Sequence, residues 1–179
     1  MGCDLTLGRT EVCKDTVGGL KALYLINYDD ITSYTYDVTN TDLIATIVGG
    51  GTINAYKYEL KGTNTLDTNV TTSRENGTSF AETTLSVVLK KQDVATHKEI
   101  KLLSYGRPRV VVEFNNGDFQ LVGLEHGAEL TTAAISSGTA MGDLNGYTLT
   151  LVAMEKIPPN FIDAATEADL ATVGLTVVA

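Results

Sequence analysis

Residues 66–89, LDTNVTTSRENGTSFAETTLSVVL, decide the fold. Two runs rich in hydroxylated and β-branched side chains flank Glu75, Asn76 and Gly77. An Asn-Gly pair readily takes the positive φ angles of a tight turn, so the chain doubles back here as a hairpin. The first arm, 66–74, alternates only weakly and is almost wholly polar. The second, 80–89, returns as a strand. An arm with so little to bury either lines a surface or pairs with another chain, and an exposed edge of this kind invites a second subunit.

Downstream of the hairpin lies the one good helical stretch, 92–105. Val94, Ala95, Ile100, Leu102 and Leu103 share a broad face, with Asp93 near the N-terminal end. Gly106 and Pro108 stop it. A strand at 109–114, a turn at 115–118 and a strand at 119–124 then make a second hairpin, and 129–136 with 147–155 make a further pair. Upstream, 20–28 alternates Ala22, Tyr24, Ile26 and Tyr28 against Leu23 and Leu25. Strands also read at 43–48, ended by three glycines, and at 52–61. Pro158 and Pro159 close the domain, 162–171 reads as a short helix and 174–179 as an apolar tail.

About nine strands with one central helix predict a mainly β protein, an antiparallel β-sandwich or barrel with one packed α-helix, rather than a βαβ array. The expected division is an N-terminal arm at 1–17, a β-sandwich domain at 18–157 and a C-terminal arm at 158–179. The 26 threonines suit this class, because β-branched side chains fit a pleated, half-buried surface. A length of 179 residues with 43% hydrophobic residues supports one domain with a real core.

Charge narrows the partners. Thirteen basic against 22 acidic residues give a net charge of -9. Proteins that grip nucleic acid neutralise phosphates with basic patches, so tight binding to DNA or to an anionic membrane is not expected. No apolar run approaches the roughly 20 residues of a membrane-spanning helix. Cys3 and Cys13 do not make a disulfide framework; with no secretory leader ahead of them they read as reduced thiols. The glycosylation patterns at Asn69 and Asn76 carry no weight without such a leader.

No catalytic apparatus, metal site or cofactor site is read from the chain. His97 and His126 are the only histidines. His97 belongs to a solvated helix face and His126 to an ordinary turn, and neither has the clustered partners of a triad or a metal site. Gly49, Gly50, Gly51 and Thr52 lack the lysine and the helix of a phosphate loop. Asp29, Asp30, Asp37, Asn40 and Asp42 form an acidic loop without the spacing of an EF-hand.

The order of a long early strand, a sheet, a polar hairpin, a central helix and paired strands carries a resemblance. It ends in GDLNGYTLTL at 142–151, followed by Met154 and Glu155. In this arrangement the chain resembles the tail tube proteins of long-tailed bacteriophages. The opening CKDTVGGL at 13–20 and the same ending also resemble virion proteins of phages infecting Bacteroidetes, including the crAss-like group.

The resemblance implies a virion structural protein of the tail, assembled in the host bacterial cytoplasm, with no enzymatic activity. Six copies would form a ring with a continuous inner β-barrel. Rings would stack head to tail, contact other tail or neck proteins, and pass phage DNA without binding it specifically. Asp67, Glu75, Glu82 and Glu113 are the expected channel-facing acids, which would repel passing phosphates. Asp29, Asp30, Asp37, Asp42, Asn76, Leu175 and Val177 are the expected inter-subunit contacts. Two alternatives stand beside this: a collar or connector ring of the phage neck with the same fold, and a non-phage calcium- or carbohydrate-binding β-sandwich module. The module would use the four loop aspartates, with tyrosines in place of the tryptophan the chain lacks.

Overall fold

The computed structural model describes residues 7–10, 13, 14 and 16–179. The expectation for Cys3, and that for the arm at 1–6, 11, 12 and 15, lies outside the described residues. The protein is mainly β, a curled eight-stranded sheet and a four-stranded sheet with two short helices, which is the β-sandwich or barrel-like class expected.

The elements are β1 (Leu20–Ile26), β2 (Ile31–Tyr36), β3 (Leu43–Gly49), β4 (Ile53–Glu59), β5 (Thr65–Ser73), β6 (Thr78–Lys90), α1 (Val94–Leu103), β7 (Arg109–Phe114), β8 (Phe119–Val122), β9 (Glu129–Ser136), β10 (Gly146–Glu155), β11 (Asn160–Ile162), α2 (Leu170–Val173) and β12 (Leu175–Val178). The large sheet runs β12-β4-β1-β7-β8-β11-β3-β2 and the small sheet β5-β6-β10-β9.

Alternation in the central strands, from Ala22 onward in β1, divides their side chains between two cores. On β1, Ala22, Tyr24 and Ile26 face one core while Leu23 faces the other. On β7, Val111 joins the first core and Val110 and Val112 the second. Strands buried on both faces need apolar residues at every position, which is why 109–114 reads as a nearly unbroken apolar run. The first core fills the curl of the large sheet, where Leu170 and Val173 of α2 join Ile44, Phe119 and Leu121. The second lies between the back of that sheet and the small sheet, where Leu85, Val87, Tyr147 and Leu151 meet Ile100 of α1. Asp93 caps α1 by accepting the Ala95 N–H at 3.1 Å, and the Tyr147 hydroxyl donates to the Asp93 carbonyl, which ties the helix start to β10.

Three expectations are corrected. Twelve strands occur among the described residues rather than nine. The acidic loop at 29–42 contains β2, whose alternation is masked because Thr and Ser occupy its outward positions. Residues 158–179 are not an arm: β11 lies between β8 and β3, β12 pairs in parallel with β4, and α2 closes the first core. Ile162, Leu170, Val173 and Leu175 of this segment are buried members of the first core. Gly174 makes the turn possible. Its φ is +111°, and a Cβ there would lie 2.2 Å from the Ile47 carbonyl oxygen.

Candidate functional site

The small sheet is antiparallel throughout and has two different faces. Leu85 and Val87 of β6 and Leu149, Leu151 and Ala153 of β10 point into the second core, and Ala81, on the same face of β6, is buried. The alternate residues, Glu82, Thr84 and Ser86 on β6 and Thr148, Thr150 and Val152 on β10, form the outer face. Register extends that face to the neighbours: Asp67 lies opposite Thr84, Asn69 opposite Glu82, and Glu129 opposite Val152. The result is a hydroxyl-rich surface carrying the carboxylates of Asp67, Glu82 and Glu129, with Lys90 at the end of β6.

Both edges of this sheet are without a strand partner among the described residues. Val70 on β5 lies opposite Ala81, and Ile135 on β9 opposite Tyr147, so both point toward the core side. They are nonetheless 56% and 48% exposed, because no further strand covers them. Three antiparallel steps separate β5 from β9, so the two edges run in opposite directions. Placing β9 of one copy beside β5 of another, with both sheets in the same orientation, therefore makes an antiparallel pair. Few devices block the edges. Bulges and inward charges that protect natural edges are confined to one register shift in β9 near Thr150.

The β5–β6 hairpin extends beyond the sheet, since β10 pairs with β6 only from Ala81 to Lys90. Glu75 and Asn76 sit in its exposed turn, where the Asn76 N–H donates to Ser73 Oγ at 3.3 Å. Gly77 there has a φ of +62°.

The remaining expected residues do not gather at this surface. Glu113 is corrected: it is 2% exposed and points into the curl of the large sheet, because it shares the face of Val111. Its Oε1 takes the Lys21 ammonium and its Oε2 the Tyr24 hydroxyl at 2.8 Å. Burial and the neighbouring Glu113 raise the Tyr24 pKa well above its usual 10.0. Leu175 is also corrected as a contact between subunits: it is 1% exposed and pairs with Ile53 of its own chain, while Val177 is half-buried against the first core.

The four loop aspartates occupy both ends of β2. Asp29 and Asp30 precede it, and Asp37 and Asp42 follow it. Six strand residues at about 3.3 Å each separate the pairs by roughly 20 Å, too far for one ion. The Asp37 carboxylate accepts the N–H groups of Asn40 and Thr39, both at 2.8 Å, which holds its pKa below 3.8. Among the described residues no group of three His, Cys, Asp or Glu side chains is placed to hold a metal. The His97 ring packs 6.2 Å from that of Tyr147, His126 is exposed, and Cys13 is an exposed free thiol.

Two buried charged residues escaped the sequence reading. Arg109 donates to the carbonyls of Leu124, Tyr28 and Ile31 and stacks 4.6 Å from the centre of the Tyr28 ring. Glu155 accepts the N–H groups of Glu125 and His126. The only local signal for either is a charged residue at the end of an apolar strand. No family model, curated protein or solved structure matches this chain.

Proposed function

We propose that the protein is a phage virion structural protein, the tail tube subunit, whose small sheet joins those of neighbouring copies in a ring. The observation that carries this reading is the pair of open, oppositely directed edges on a sheet of four strands. Copies related by rotation continue the antiparallel alternation without a mismatch, and a closed barrel is the arrangement that removes free edges altogether. With six copies, as the resemblance implies, the inner wall has 24 strands, four from each. At about 4.8 Å between strands that wall is roughly 37 Å across before strand tilt widens it. Barrels of fewer strands already leave an aqueous channel.

The outer face of the small sheet then becomes the channel wall. Its threonines and serines give a hydrated surface, and Asp67, Glu82 and Glu129 place carboxylates where phosphates would pass. Like charge discourages adhesion of the DNA during transit. The projecting hairpin with Glu75 and Asn76 is the element that reaches the next ring. The location that goes with this reading is the tail of the virion, after assembly in the host cytoplasm.

Negative-stain electron microscopy of the purified protein over a range of concentrations tests the reading. Stacked rings with a central channel are the expected result. Single closed rings would favour the neck connector, and a chain that stays monomeric at the highest concentration overturns closure through the edges.

A further inference from the structure

We propose that the cavity beside Tyr34 and Tyr36 is a binding site for an organic cation, an alkylguanidinium or alkylammonium group. The cavity has a volume of about 310 Å³ and lies where β2, the turn after β8 and the turn after β10 meet. The proposal does not depend on the role of the small-sheet edges.

Glu155 supplies the first argument. It is only 7% exposed, and its Oε1 accepts both backbone donors, at 3.1 Å from Glu125 N and 2.9 Å from His126 N. No described residue donates to its Oε2, and no sealed side-chain oxygen of the described residues lacks a partner, so Oε2 is open to solvent in a residue that lines the cavity. No basic group of the described residues lies within ion-pair distance of Glu155 or of Glu125. A carboxylate this buried is costly without a counter-ion.

The walls supply the second argument. The Tyr34 hydroxyl donates to Glu125 Oε1, which fixes a second carboxylate on the cavity. That bond is the main reason the Tyr34 pKa lies above 10.0. The rings of Tyr34 and Tyr36 meet edge to face with centroids 5.4 Å apart. Leu121, Pro158 and Pro159 complete an apolar wall. Two carboxylates for charge-assisted hydrogen bonds, aromatic rings for a cation and an apolar wall for its alkyl stem are complementary to a guanidinium or ammonium on a short chain. Among the described residues an inorganic divalent ion lacks its set of ligands here. Lys156 and His126 also line the cavity, but both are exposed and Lys156 forms no ion pair with either carboxylate.

Titration of the full chain with n-butylguanidinium chloride and with n-butylammonium chloride, followed by amide NMR shifts, tests the site. The expected result is saturable shifts at Glu125 and His126, with a Kd of about 1 mM or tighter and no matching response to butanol or sodium chloride. Glu155→Gln should weaken binding at least tenfold. Glu125→Gln, at an exposed position that leaves folding intact, should do the same and keeps the test readable if the buried variant is unstable. No saturable shift, equal affinity in both variants, or an equal response to butanol overturns the proposal. Sedimentation velocity with and without n-butylguanidinium separates two sources of the cation. Smaller species on addition identify an arginine or lysine side chain of another copy, and unchanged sedimentation with saturable shifts identifies a free ligand.

Discussion

The Tyr24 hydroxyl donates a 2.8 Å hydrogen bond to Glu113 Oε2 across 89 residues of sequence, inside the curl of the large sheet. The bond joins the middle of β1 to the end of β7, and with Lys21 it satisfies a carboxylate that the fold has withdrawn from water. Tyr24→Phe keeps the ring packing and removes one donor to a charged acceptor. The expected loss is about 1.5–3 kcal/mol, read by urea denaturation. Unchanged stability would show that the carboxylate does not need this partner.

Folding raises the Tyr24 and Tyr34 pKa values above 10.0, so the folded state holds both protons more tightly than the unfolded chain. Their contribution is complete below pH 10 and is lost progressively as the pH rises toward the folded-state values. Denaturation curves measured from about pH 9 to 11.5 should show falling stability, with a shallower fall in Tyr24→Phe and in Tyr34→Phe. Parallel slopes in the wild type and both variants would contradict the assignment.

At the acid end the loops respond in the opposite sense. Hydrogen bonds from Ala140 and Thr139 hold the Asp143 pKa below 3.8, and the Thr166 hydroxyl does the same for Asp169. Each contributes stability that is present above pH 3.8 and is lost as the pH falls through the folded-state value. Asp143→Asn and Asp169→Asn should therefore lose less stability than the wild type between about pH 5 and 2, as followed by circular dichroism.

The edges of the small sheet offer a direct test of assembly. Val70→Lys and Ile135→Lys each place an ammonium on an inward-pointing edge position, a device that blocks edge-to-edge pairing. Both sites are well exposed in the single chain, so folding stability should change by no more than about 0.5 kcal/mol. Rings or tubes formed by the wild type should be absent from either variant in sedimentation and electron microscopy. Assembly that survives both substitutions would exclude the β5 and β9 edges as the joint.

The C-terminal segment should behave as core. Leu170→Ala opens a cavity inside the large sheet and should cost about 2–5 kcal/mol in chemical denaturation. Ending the chain after Lys156 removes β11 from between β8 and β3, and the expected outcome is loss of the cooperative thermal transition. A truncated chain that melts like the wild type would restore the segment to the status of an arm.

Sequence alone determined what depends on near neighbours. The alternation in β1, β7 and β10 is a period-two pattern, and side chains two apart share a face wherever the strand is placed. Asn76 and Gly77 specify a turn through their own backbone preferences, as Asp93 specifies the start of α1. These signals made the mainly β class, the central helix and most strands legible. Only the tertiary structure decided what depends on which strands lie side by side. Glu113 and Glu82 are both carboxylates on alternating strands, yet the first is enclosed by the curl of the large sheet and the second stands on an open face. The three-residue β11 and the tail strand β12 exist because strands distant in sequence offer them backbone partners. Glu155 meets Tyr34 and Tyr36 around one cavity for the same reason. Burial and pairing are properties of surfaces brought together by folding, and local pattern carries no record of which surfaces those are.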